Sequence, residues 1–208
     1  MRIIHTDDDI AEGAAHLAAA EPRFGHVLTL CGPLPLRRRG DGFDALADAI
    51  VGQQVSTAAA RAIRGRLVAA GFDQPAPILA AADDDLRGCG LSRQKVRYLK
   101  ALAEAGIDWD ALRDLPDEAV VDRLLPLPGI GRWTVQMYLI FALGRADVFA
   151  PDDLALAEAA RLLFDLPDRP RPKAFAAMAE AWSPWRAVAA RALWAYYAQQ
   201  KSREGVAP

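Results

Sequence analysis

Asp152 and Asp153 follow Pro151 in the stretch VFAPDDLALAEAARLLF and open a run that sets Leu156, Ala160 and Leu163 at helical spacing. Acids at a helix start commonly act as N-caps, each stabilising by about 1 kcal/mol. One cap needs only one of them. A carboxylate held near a helix N-terminus also stays ionised, which suits it to stabilise a neighbouring cation. Capping and electrostatic chemistry both fit the pair.

The stretch LPGIGRWTVQ, residues 127–136, places Gly129 and Gly131 at the mouth of another helix. Glycine tolerates positive φ and lets another backbone approach closely. Two such residues can aim bare amides, together with the helix dipole, at one phosphate. They equally suit an ordinary αα-hairpin in which one glycine caps a helix and the other admits close packing.

Other chemistries are poorly supplied. Cys31 and Cys89 are too few for a disulfide framework, a four-cysteine zinc site or an iron–sulfur cluster. His5, His16 and His26 all fall within the first 26 residues, away from both motifs. No catalytic metal held by side chains is expected. The net charge of −2 provides no global basic field, so any phosphate binding must be local. The short run Arg37–Arg38–Arg39 reads as solvated surface or as a backbone contact.

These residues need a scaffold, and the chain supplies a helical one. Its 208 residues fit one domain or two small intertwined subdomains, and 52% hydrophobic content marks a globular protein. No apolar run approaches the ~18 residues of a membrane span. The start MRIIHTDDDI is unlike a signal peptide, so a cytoplasmic location is expected. Periodicity predicts helices over 44–69 with a polar GQQ interruption, and over 93–105, 117–125, 131–143, 153–164, 173–182 and 185–199. MRIIH is a weak strand candidate. The expected fold class is all-α.

Taken in order, AIVGQQVS, LPGIGRWT, VFAPDD and AWSPWRAVAARALWAYY resemble the helix-hairpin-helix DNA glycosylases, specifically the bacterial alkylated-base glycosylases of the AlkA type. The resemblance runs from about Phe43 to Gln199, without that family's amino-terminal α/β domain. It implies a monomer of two helical subdomains flanking a DNA-binding cleft. Residues 43–148 would carry the hairpin, and 1–42 plus 149–208 would carry the catalytic aspartate.

The implied activity is hydrolysis of the N-glycosidic bond of alkylated bases, such as 3-methyladenine and 7-methylguanine, in double-stranded DNA, leaving an abasic site. Asp153 matches the catalytic aspartate, and an oxocarbenium-like sugar does need a fixed anion beside it. Trp133, Met137 and Trp194 match base-pocket positions, where the indoles would stack on a flipped base. Met137 and Leu154 stand where better-known members carry aromatics. Trp182 and Trp185 are expected in the core, Trp185 being nine residues before Trp194 and so on the opposite face of a straight helix.

Gln53 and Gln54 match the loop that enters the minor groove, with Gln54 at the wedge position. Gly129, Gly131, Arg132 and Thr134 match the hairpin's DNA-binding positions, and the carbonyls of Leu125, Leu127 and Ile130 match the ligands of a structural Na⁺ or K⁺. No catalytic cofactor is implied. Trp133 occupies the position where lyase members carry an amine, and none of Lys95, Lys100, Lys173 and Lys201 lies in the hairpin helix or next to Asp153. The expected enzyme is therefore monofunctional. Glycosylases for oxidised or mismatched bases, and a non-catalytic hairpin module that binds DNA, remain as alternatives.

Overall fold

The computed structural model describes residues 1–203, and its regular structure is helical. In chain order the helices are α1 (Asp7–Ala20), α2 (Pro22–Cys31), α3 (Phe43–Gly52), α4 (Thr57–Ala69), α5 (Pro75–Ala80), α6 (Asp83–Gly88), α7 (Arg93–Glu104), α8 (Trp109–Asp114), α9 (Asp117–Leu124), α10 (Arg132–Met137), α11 (Leu154–Leu163), α12 (Pro172–Ala179) and α13 (Arg186–Arg203). The all-α expectation holds. No helix among the described residues is long and apolar enough to cross a membrane.

Local chemistry explains the starts. Thr6 and Asp9 form a reciprocal capping box for α1, while Ser56, Ser92 and Asp108 accept amides at the starts of α4, α7 and α8. Pro22 and Pro172 sit in the first turns of α2 and α12, where a missing N–H costs nothing.

Three sequence expectations are corrected. The predicted helix over 44–69 is two helices, because Gln54 takes a left-handed φ of 56° that no α-helix continues. The predicted helix over 131–143 is α-helical only to Met137; Tyr138–Ala142 then widens into a π-helical turn. MRIIH makes one isolated antiparallel bridge, Ile3 to Arg145, supported by the Ile4 amide donating to Gly144 O at 2.7 Å.

The chain divides into two compact units, residues 39–138 and residues 1–38 with 139 onward. The expected borders were 43 and 148; residues 139–148 instead pack with the chain ends. Leu139, Ile140, Ala142 and Leu143 are buried, and Arg145 donates its amide to Leu139 O at 2.9 Å.

In the unit formed by the chain ends, α13 packs on α1, α2 and α11. Its core holds Trp182, edge-on to Phe24 and Phe149 at 5.4 Å each and stacked on Phe164 at 5.9 Å. Trp185 is also buried, but it lies just before α13 rather than on its far face. It presses on α1 where Gly13 leaves room: a Cβ there would fall 2.6 Å from the indole. In the unit of residues 39–138, α7 is central, packing on α3, α5 and α6, with α9 and α10 joined as a hairpin.

Candidate active site

In the unit of residues 39–138 the hairpin connects α9 to α10 through two tight turns, with Leu127 donating to Leu124 O at 3.1 Å and Ile130 to Leu127 O at 3.0 Å. Buried Ile130 anchors it. The two glycines are not equivalent. Gly129 has a φ of +84°, and a Cβ there would overlap the Tyr98 ring from α7. The chain itself requires this glycine. Gly131 is the N-cap of α10 at φ −94°, a conformation open to any residue, and a Cβ there would meet nothing within 4 Å. Its carbonyl accepts the Val135 amide and it faces outward. Nothing in the hairpin's own packing calls for glycine at 131.

Beyond Gly131, Arg132 is exposed and Thr134 half-buried. Trp133 is 47% exposed, high for an indole, and Met137 is half-buried one helical turn away on the same face. Gln54 is exposed at the break between α3 and α4. Gln53, its neighbour, donates its side-chain amide to Gly129 O at 2.7 Å, so the wedge loop is tied directly to the hairpin. Lys95 on α7 supports the same corner, donating to Val51 O at the end of α3 at 2.7 Å; burial pushes its pKa down. Neither Lys95 nor Tyr98 was singled out from sequence.

In the other unit, Asp153 is the N-cap of α11: one carboxylate oxygen accepts the amides of Ala155 at 2.9 Å and Leu156 at 3.0 Å. Asp153 is half-buried and Asp152 exposed. Capping is therefore the role of the second aspartate, and it holds that carboxylate rigidly at the positive end of the helix. Leu154, the first residue of α11, is 71% exposed.

The segment that leads to Asp153 is clamped to α13. Asp147 accepts from Arg186 Nε at 2.8 Å, Arg186 Nη2 at 3.0 Å and Ser183 Oγ at 2.8 Å, while Ala187 donates to Ala146 O at 2.9 Å. Burial works to raise the Asp147 pKa, but the bonds from Arg186 and Ser183 together hold it below the usual carboxylate value. Farther along α13, Trp194 is half-buried with its ring 5.6 Å from that of Phe141. The predicted site residues thus fall into two sets, Gln53 to Met137 in one unit and Asp153 with Trp194 in the other.

A family model for the HhH-GPD superfamily of base excision DNA repair proteins matches residues 47–186. The chain belongs to this family. Among HhH-GPD relatives, DNA-3-methyladenine glycosylase 1 of Schizosaccharomyces pombe is 32% identical over 197 residues, covering 89% of this chain and 86% of the relative. A solved structure of S. pombe 3-methyladenine DNA glycosylase in complex with abasic DNA superimposes with a TM-score of 0.77 at 32% identity, over 88% of this chain and 95% of that one. A DNA-3-methyladenine glycosidase from Bacillus halodurans gives a TM-score of 0.81 at 29% identity, over 98% and 95%.

The HhH-GPD match spans the wedge loop, the hairpin and the capped aspartate, and ends at Arg186, the residue that clamps Asp147. What these parts can do follows from their geometry. A rigid anion sits at the start of a ten-residue helix, and a glycine with open space around it sits at the start of another. The first suits a developing cation, the second a phosphate.

Proposed function

We propose that this chain is a monofunctional DNA-3-methyladenine glycosylase that hydrolyses the N-glycosidic bond of alkylated bases in duplex DNA. The observation that carries the reading is Asp153, a carboxylate fixed by two amide hydrogen bonds at a helix N-terminus, in a chain whose relatives are named for this activity.

The hairpin amides around Gly131 hold a backbone phosphate, and exposed Gln54 fills the gap left when the damaged nucleotide leaves the stack. Trp133 and Met137, one turn apart on α10, bind the extruded ring. As the bond from C1′ to the base breaks, its electron pair leaves with the base and positive charge grows on the sugar. Asp153 stabilises that charge, water adds at C1′, and the water proton passes to the carboxylate. A cationic alkylated purine leaves as a neutral base and needs little protonation from the enzyme.

Lysine placement supports hydrolysis without strand cleavage. Lys95 is engaged at Val51 O, Lys100 with Ala81 O and Asp83, and Lys201 over the Tyr197 ring. The hairpin carbonyls of Leu125, Leu127 and Ile130 offer neutral oxygens suited to Na⁺ or K⁺. The Leu127 carbonyl, which accepts from Ile130, keeps a second lone pair for such an ion. When bound, the ion would add positive charge next to the phosphate.

The deciding experiment is incubation of the protein with methylated and with oxidised duplex DNA, followed by chromatography of released bases. We expect 3-methyladenine and 7-methylguanine from the first, with strands intact until alkali is added. Release of oxidised purines instead, or DNA binding with no base release, would overturn the proposal.

A further inference from the structure

We propose that Arg37, Arg38 and Arg191 form a binding subsite for one DNA phosphodiester in the unit made by the chain ends, an inference that rests on the DNA reading above. Arg191 is 3% exposed, an extreme burial for a guanidinium. Its hydrogen bonds go to backbone oxygens: Nη1 to Ala187 O at 2.9 Å, Nη2 to Leu36 O at 3.2 Å and to Ile140 O at 3.4 Å, and Nε to Leu36 O at 3.4 Å. It also lies over the Phe141 ring, 5.0 Å from its centroid. These contacts satisfy donors but leave the charge uncompensated.

The nearest charges make this worse. Burial, and after it the positive potential of Arg38 and Arg37 in the segment after α2, lowers the Arg191 pKa to about 10. Among the described residues neither Arg37 nor Arg38 forms an ion pair. Both are held in place. Arg37 sits at φ 49° and, with Arg191 and Trp194, lines a cavity of about 20 Å³, room for one water. Arg38 lays its guanidinium against Gly144, where a Cβ would overlap it. Arg39 is different: it belongs to the other unit and interacts with Asp48.

Three neighbouring cations repel one another, and an arriving anion relieves that repulsion. Guanidinium forks match phosphate oxygens, and two of the three, Arg37 and Arg38, are exposed and able to reach one. Buried Arg191 contributes charge from behind them. A phosphodiester is the anion that a DNA repair protein meets in excess.

The test is fluorescence anisotropy of a duplex carrying an abasic-site analogue, titrated with wild type, Arg37→Gln, Arg38→Gln and the double variant over about 50–250 mM KCl. These side chains are exposed, so folding is expected to survive. The double variant should lower the slope of log affinity against log salt by about 1, the value for one phosphate, and each single variant by less. Duplexes with one methylphosphonate each should reveal a position where wild type loses affinity and the double variant does not. An unchanged slope, or equal losses at every position, overturns the subsite. Competition by inorganic phosphate matching that of duplex would make the site one for free anions and also overturn it. A wild type that does not bind the duplex removes the DNA reading itself, a distinguishable result.

Discussion

The side-chain amide of Gln53 donates to the carbonyl oxygen of Gly129 at 2.7 Å, across 76 residues of sequence. The contact joins the turn between α3 and α4 to the hairpin between α9 and α10, so the groups proposed to fill the extruded base's gap and to grip the DNA backbone share one corner. Gln53→Ala should cost only about 1 kcal/mol of stability, as expected for one partly exposed hydrogen bond. Base excision should fall more, about tenfold, because a loosened wedge is mispositioned. Equal single-turnover rates in the two proteins would show that the bond does not position Gln54.

The two hairpin glycines should separate in their effects. Gly129→Ala forces a side chain into a left-handed backbone and into the Tyr98 ring, so a loss of about 1–3 kcal/mol is expected in urea denaturation. Gly131→Ala has room and an ordinary φ and should leave stability within about 0.5 kcal/mol. It should instead weaken DNA binding, since the added methyl would stand where the proposed phosphate approaches. Wild-type affinity in Gly131→Ala would remove the phosphate from this helix start.

Asp153→Asn should abolish most base release, by roughly 100- to 1000-fold, because it removes the anion proposed to face the sugar. Asn is as good an N-cap as Asp, so the melting temperature should barely move. Asp153→Ala should show the same loss of activity plus about 1 kcal/mol of destabilisation from the lost cap. Asp152→Asn should be near wild type. Reversed effects at 152 and 153 would shift the catalytic assignment by one residue.

How much of this was legible depends on the range of the interaction. The capped helix after APDD and the hairpin at LPGIG declare themselves because capping and helix breaking act over three or four residues. The sequence marks Gly129 and Gly131 alike; only the Tyr98 ring, brought up by α7, distinguishes them. The break at Gln54 showed as a polar interruption but not as a left-handed turn, since a single backbone angle leaves no periodic trace. Likewise the π turn after Met137 lies inside an unbroken apolar run, and Asp147 meets Arg186, 39 positions along the chain, only once the segment between them is folded. Helix α2 brings Phe24 edge-on to Trp182, a pairing across 158 residues of sequence that leaves no local signal.

The Asp147 clamp predicts an acid dependence. Its folded pKa lies below the ordinary 3.8, so ionised Asp147 stabilises the fold above that value, and the contribution is lost as pH falls through the depressed folded value. Asp147→Asn should therefore be less stable than wild type at neutral pH, with the difference shrinking below about pH 4. Thermal melts of both proteins across that range measure it. A difference that stays constant with pH would mean that packing, not charge, holds the clamp.

Lesion choice should turn on Met137. Trp133 is partly exposed and Met137 lies one turn from it on α10, while Leu154 projects into solvent at the start of α11. With methionine where the family resemblance implies an aromatic, the proposed base site gives up stacking area, and each stack between a base and an aromatic ring is worth about 1–3 kcal/mol. Binding then does less, and the lability of the base must do more. Cationic 3-methyladenine and 7-methylguanine should be excised well, and neutral hypoxanthine poorly. The flexible thioether also tolerates varied shapes, so a methylated pyrimidine or 1-methyladenine is expected to enter. Met137→Tyr should restore a rigid stacking face and change the ratio of rates between neutral and cationic lesions by about tenfold, in favour of the neutral ones. Single-turnover excision from defined oligonucleotides, wild type against variant, measures the ratio. If all lesions change by one common factor, Met137 does not face the base.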